Sequence, residues 1–235
     1  DWSGVEHATG ESFRWKGKYS YDLQSRETLE PRLGVFADFQ PRIPPTAADA
    51  KFLFLGNIDP VLQLGILDQV SHPVLVACDT MNYWIENKPE ELKEVIRHVD
   101  ILMLNDSESR ILAKKASITQ AARHILELGP KVLIVKRGEY GALMFSKDGI
   151  FWAPSYPLDE VIDPTGAGDS FAGGFMGYVA ANDAIDNAGL KTAVVYGSVI
   201  ASFAVEDFSV KRTAQLKKAE IDKRFTAFLQ LSRLD

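Results

Sequence analysis

Residues 163–171 read Asp-Pro-Thr-Gly-Ala-Gly-Asp-Ser-Phe and open onto the glycine-rich apolar run Phe-Ala-Gly-Gly-Phe-Met-Gly-Tyr-Val. Gly166 and Gly168 let the backbone turn sharply, and without Cβ atoms they let a phosphate approach it closely. The N–H groups of Ala167, Gly168 and Asp169 then fall at a helix N-terminus, an electropositive end with unpaired donors that suits an anion. A carboxylate in the same turn adds a second capability. Asp169 can take a proton from a hydroxyl while the amides hold the charge of a transferring phosphoryl group. The alternative is an ordinary turn with Asp169 as the helix cap. Two other phosphate loops do not fit: G-x-x-x-x-G-K-[ST] is absent, and Phe171 stands where a dinucleotide fingerprint has its third glycine.

The elements that must position this turn are legible from the hydrophobic pattern. Short apolar runs at 51–55, 74–78, 101–104 and 132–135 read as buried strands, with helical stretches at 60–69, 89–98, 107–115 and 118–128 between them. Strands apolar throughout, alternating with helices, predict an α/β fold with a mostly parallel, Rossmann-like sheet covered on both faces. Residues 142–145 and 150–153 read as an edge hairpin. A helical segment at 186–204 and a final helix over 213–231 close the chain. Ligands of such sheets bind beyond the carboxyl ends of the strands, which singles out Asn57, Asp79, Asn105 and residues 136–141.

Residues 1–43 differ in character. Trp2, Phe13, Trp15, Tyr19, Tyr21, Phe36 and Phe39 are interleaved with polar residues. Residues 12–21 alternate at period two around Gly17, which predicts a strand pair or one bent strand, and residues 33–39 read as a second strand. The expectation is a small antiparallel sheet over 1–43 attached to an α/β core over 44–235. Arg14, Lys16 and Lys18 either meet an anionic substrate group or form the solvated side of a strand.

At 235 residues the chain suits one sizeable domain, or one domain with a small appendage. Its 46% hydrophobic and 25% charged residues are those of an ordinary globular protein. A net charge of −6 gives no basic face for nucleic acid or an anionic membrane, and no apolar run reaches the roughly 20 residues of a membrane helix. The single cysteine, Cys78, allows no internal disulfide and sits in an apolar run, so it reads as a core thiol in a reducing, cytoplasmic setting. The histidines (7, 72, 98 and 124) show no metal-ligand spacing.

The string Asp-Pro-Thr-Gly-Ala-Gly-Asp-Ser-Phe-Ala-Gly-Gly-Phe resembles the C-terminal signature of the PfkB/ribokinase family of carbohydrate and nucleoside kinases. The resemblance implies a ribokinase-like fold in which the small sheet is a lid over the substrate and often a dimer contact. It implies that Asp169 is the catalytic base and that Gly166, Ala167 and Gly168 form the anion hole. It further implies that Asn105 and Glu108 match an Asn-x-x-Glu motif acting on Mg²⁺ and the ATP phosphates, often through water. Read without the family, Asp106 or Ser107 caps that helix and Glu108 favours its first turn, which leaves Asn105 unexplained. Gly138 and Gly141 match a Gly-x-x-Gly turn against the nucleotide phosphates, and Lys136, where many members carry Thr, adds a point charge toward them. Asp163 and Thr165 match positions whose carbonyls hold a monovalent cation, K⁺, in some members. Asn187 and Ser198 fall in the region that borders the nucleotide base. Asp79 and Asn82 match an Asp-x-Asn-like segment on the substrate side, with Asp79 as a plain turn former the alternative.

Family members begin with an apolar strand, a Gly-Gly segment that contacts the sugar, and further βα units ahead of the lid. None of these is in this sequence, so the expectation is a fragment of a longer chain. The expected activity of the complete protein is transfer of the γ-phosphate of ATP to a hydroxyl of a sugar or sugar-like molecule. The alternatives are a nucleoside kinase and, from a different class, a nucleotide-binding or oligomerisation module without activity.

Overall fold

The computed structural model describes residues 4–21, 23 and 26–231; Trp2 lies outside them. A six-stranded sheet runs β3 (Phe52–Leu55), β4 (Leu75–Asp79), β5 (Ile101–Asn105), β6 (Val132–Lys136), β7 (Ala142–Ser146) and β8 (Gly149–Ala153), side by side in chain order. The first four strands are parallel and the last two form the expected antiparallel edge hairpin. The strands are apolar throughout because both faces are covered. Along β5, Ile101 and Met103 point to one core, and Leu102 and Leu104 to the other.

The first core is built by α6 (Ala167–Asn182), α7 (Asn187–Ala204) and α8 (Lys218–Gln230). The second lies under α1 (Pro60–Leu67), α3 (Pro89–Arg97), α4 (Asp106–Ala113) and α5 (Ile118–Leu126). Helices α6 and α7 approach through glycine. A Cβ on Gly174 would lie 2.8 Å from Ile200 and 3.1 Å from the Cα of Gly197, and one on Gly197 would lie 2.8 Å from the carbonyl oxygen of Phe171. Among the described residues, no helix is long and apolar enough to cross a membrane.

Three sequence expectations need correction. The lid is a bent strand β1 (Arg14–Tyr19), bulged between Lys16 and Gly17, paired antiparallel with β2 (Arg26–Arg32). The stretch expected as its second strand, 33–39, is a 3-10 turn over Gly34–Asp38 instead. Gly34 holds a positive φ of 55°, and the Val35 N–H donates to the Glu11 carbonyl at 2.9 Å, so the chain turns here. Phe36 and Phe39 then stack at 5.8 Å, a spacing of three residues rather than two. The true partner, β2, has the sequence Arg-Glu-Thr-Leu-Glu-Pro-Arg and carries no apolar stripe for periodicity to detect. A further helix, α2 (Asn82–Asn87), follows β4, where the hydrophobic pattern predicts no helix. The last helix begins at Lys218; Thr213–Gln215 is a separate 3-10 turn.

Candidate active site

The turn at 163–169 is built from its own backbone. The Ile162 N–H donates to the Val205 carbonyl at 2.9 Å, which ties the loop to the carboxyl end of α7. Asp163 Oδ1 accepts from the Thr165 N–H at 2.9 Å, and the Ala167 N–H donates to the Pro164 carbonyl at 3.2 Å. Gly166, at φ 79°, is the N-cap of α6 and brings no side-chain oxygen to its first turn. This displaces the reading of Asp169 as the cap: Asp169 is exposed in the first turn, one residue after Gly168. With no side-chain acceptor at the cap, the Gly168 and Asp169 N–H groups are left for an outside anion, while that of Ala167 is engaged by Pro164.

A cation is held against this helix end. Lys136 ends β6 and Asp79 ends β4, two strands away across β5. The Lys136 Nζ donates to Asp79 Oδ2 at 2.7 Å, with side chains 17% and 7% exposed, so the pair is largely out of water. The same Nζ lies 3.2 Å from where a Cβ on Gly168 would stand. Asp79 Oδ1 accepts from the Thr80 N–H at 2.8 Å, and Gln63 Nε2 donates to the Asp79 carbonyl at 3.1 Å and the Gly56 carbonyl at 2.9 Å. Cys78, beside this pair, is a core residue as expected; burial and then the Asp79 charge push its thiol well above the usual cysteine range, against the hydrogen bond from Gln63.

Asn105 and Glu108 serve each other. Asn105, not Asp106 or Ser107, is the N-cap of α4: its Oδ1 accepts from the Glu108 N–H at 2.8 Å, and Glu108 Oε2 accepts from the Asn105 N–H at 2.7 Å. This reciprocal capping box explains both residues locally, including the one that sequence reasoning left unexplained. Asp106 bridges Arg110 at 2.5 Å and Arg137 at 3.2 Å. Partial burial pushes the Asp106 carboxyl up; the hydrogen bonds and charges of Arg110 and Arg137 outweigh this and hold it below the usual carboxylate range. Among the described residues, no group of three or more His, Cys, Asp or Glu side chains converges as a metal site.

Gly138 and Gly141 form a tight turn after β6, closed by the Arg137 N–H on the Gly141 carbonyl at 2.8 Å. Gly141 is at φ 80°, and a Cβ there would come within 2.0 Å of the Ala153 carbonyl, so only glycine fits. Asn82 is exposed at the start of α2, three residues beyond Asp79.

The structure does not bring three named residues to this place. Asn187 opens α7 at the far end of the helix pair, where the neighbouring Asp183 bridges Lys51 at the amino end of β3. An 18-residue helix puts roughly 27 Å between that end and the loop held by Val205. Ser198 is buried, and its hydroxyl donates to the Val194 carbonyl at 3.0 Å within α7. Arg14 lies on the exposed face of β1, opposite the half-buried Trp15, Gly17 and Tyr19. Two residues that motif reading missed do converge here. The Tyr19 hydroxyl and Thr165 Oγ1 are 3.0 Å apart, a direct link from lid to loop, and Gln63 braces Asp79. The alternation at 12–21 and a lone amide in the apolar helix Pro-Val-Leu-Gln-Leu-Gly-Ile-Leu were the available signals.

The profile of the pfkB family carbohydrate kinase matches residues 46–216, most of the chain. The chain belongs to this family. Within the family, it is 33% identical over 182 residues to a cytidine kinase of Thermococcus kodakarensis, covering 75% of this chain and 64% of that protein. The chain thus spans a little under two thirds of this curated relative. A ribokinase from Thermotoga maritima shares the fold at 22% identity with a TM-score of 0.71, covering 94% of this chain and 71% of that one. A structure titled a putative ribokinase II from E. coli in complex with ATP and Mg²⁺ is 28% identical with a TM-score of 0.55, covering 65% and 48% of the two chains. The family's small antiparallel sheet and mostly parallel central sheet are both present here.

Proposed function

We propose that the complete protein transfers the γ-phosphate of ATP to a hydroxyl of a sugar or sugar-like molecule. The observation that carries this reading is the glycine-capped start of α6, with Asp169 in its first turn and the Lys136 ammonium at Gly168. In the reaction, the Asp169 carboxylate takes the proton of the acceptor hydroxyl as its oxygen bonds to the γ-phosphorus. The bond from that phosphorus to the bridging oxygen breaks, and ADP leaves. The N–H groups of Gly168 and Asp169 hold the charge on the phosphoryl oxygens, and that of Ala167 joins them once it turns from the Pro164 carbonyl.

The helix end without a side-chain cap and the adjacent ammonium fit the phosphates of a nucleotide. Gly138 and Gly141 lie at the end of the strand that carries Lys136, which supports a place for them along the same phosphates. Mg²⁺, when bound, would supply charge neutralisation at the phosphates. Asn105 and Glu108, which cap α4 together, would act on it through water, which suits a strongly hydrated ion. The carbonyls of Asp163 and Thr165 are the proposed seat of a K⁺ ion. The open edges of the two-stranded lid support pairing between two copies, and the lone buried cysteine suits the cytoplasm.

A nucleoside acceptor is the second reading, favoured by the 33% identity to a cytidine kinase. A coupled ADP-formation assay over a panel of sugars and nucleosides separates the two. Asp169→Asn is expected to lower kcat by roughly 10²–10⁴-fold while MgATP still binds. Turnover within a few-fold of wild type in that variant sinks the proposal. MgATP binding with no turnover of any acceptor by the wild-type protein favours a binding module instead.

A further inference from the structure

We propose that Asp79 is the resting counter-ion of Lys136 and acts through it, not on the acceptor, and that an incoming phosphate displaces Asp79 from the ammonium. The inference rests on the phosphotransfer reading above and gives Asp79 a positioning role within it.

The geometry is asymmetric. Lys136 reaches from β6 across β5 to Asp79, and its Nζ stands beside the start of α6. A cation at a helix N-terminus is opposed by the helix dipole and is stable there only with an anion present. Asp79 supplies that anion when no phosphate is bound. Its carboxylate is 7% exposed and fixed, with Oδ1 on the Thr80 N–H and its backbone carbonyl on Gln63, so it cannot follow a moving partner. Lys136 is the mobile member, an ammonium on a flexible four-carbon stem. A phosphate seated on the α6 amides would lie beside that ammonium, because Gly168 leaves open the space a side chain would fill. Asp79 and the phosphate then compete for one cation. The pair keeps Lys136 aimed at the anion loop before substrate arrives and weakens the grip on phosphate after it.

The two partners should therefore change nucleotide affinity in opposite directions. By titration calorimetry with MgATP, Lys136→Met is expected to weaken binding roughly tenfold or more, the loss of one charge-assisted hydrogen bond. Asp79→Asn, which keeps the acceptor for the Thr80 N–H, is expected to tighten it by about fivefold or more, a modest coupling factor. In the Lys136→Met background, Asp79→Asn should then change the Kd by no more than about twofold, the limit expected for sites without coupling. Lys136→Arg should restore most of the affinity. Inorganic triphosphate in place of MgATP tests whether the effect lies at the phosphates. Removing both charges together is the gentler change for a buried pair, so the double variant keeps the test open if Asp79→Asn alone folds poorly. Weaker MgATP binding by Asp79→Asn, or acceptor affinity lost equally with and without Lys136, overturns the inference while leaving the kinase reading intact. Failure of the wild-type protein to bind MgATP overturns both.

Discussion

Gly168 separates stability from function within one residue. A Cβ there would stand 3.2 Å from the Lys136 Nζ, the movable end of a long side chain, and no backbone atom is as near. Replacing a helical glycine by alanine favours folding by up to about 1 kcal/mol. Gly168→Ala is therefore expected to keep or raise the urea midpoint while weakening MgATP binding roughly tenfold, because the ammonium is pushed off its position and the approach to the amides narrows. Equal affinity for wild type and variant would place the phosphates elsewhere. The motif string is enough to put Gly166, Gly168 and Asp169 at one helix start, since their order along the chain is also their order around one helical turn. It did not identify Lys136 as their neighbour, because 32 residues of chain separate positions 136 and 168.

At the scale of elements, the loop at 163–169 is aimed by the α6–α7 contact. That contact is close because Gly174 and Gly197 face each other, with Ile200 and Phe171 packed around them. Gly174→Val forces atoms into 2.8 Å contacts and is expected to cost about 1–3 kcal/mol, the usual range for overpacking. For a chain of this size the melting temperature should fall by about 2–4 °C per kcal/mol. Gly173→Ala is the control: nothing lies within 4 Å of its Cβ position, and it should melt at or slightly above wild type. If the two variants melt together, the helices are not held by this contact. The glycines were visible in the sequence as a composition. Which of them faces α7 depends on the rotation of α6, which the packing sets.

At the scale of the molecule, the lid reaches the core loop through a hydrogen bond between Tyr19 and Thr165. One neutral hydrogen bond contributes about 0.5–1.5 kcal/mol, enough to bias a small two-stranded sheet and too little to hold a core. Tyr19→Phe is expected to speed amide exchange across β1 and leave exchange in β4 to β6 unchanged. Uniform exchange rates in both proteins would mean that the lid is held by other contacts. The two sheets are separate along the chain: β2 ends at Arg32 and the central sheet begins at Phe52.

The sequence by itself determined the central sheet and the glycine turn at 163–169. Both are local: a buried parallel strand must be apolar on both faces, and a glycine at the helix cap brings no side-chain acceptor to the first turn. Strand edges at 52–55, 75–79, 101–105 and 132–136 fall within a residue of the apolar runs. The tertiary structure alone decided the rest. It chose charged β2 over apolar 33–39 as the lid partner, because an exposed strand needs backbone pairing and no apolar face. It made Asn105 and Glu108 partners of one another, sent Asn187 to the far end of α7, and joined Asp79 to Lys136 across β5. Each of these turns on which groups meet in space, and contacts between residues distant along the chain leave no period or spacing in the sequence.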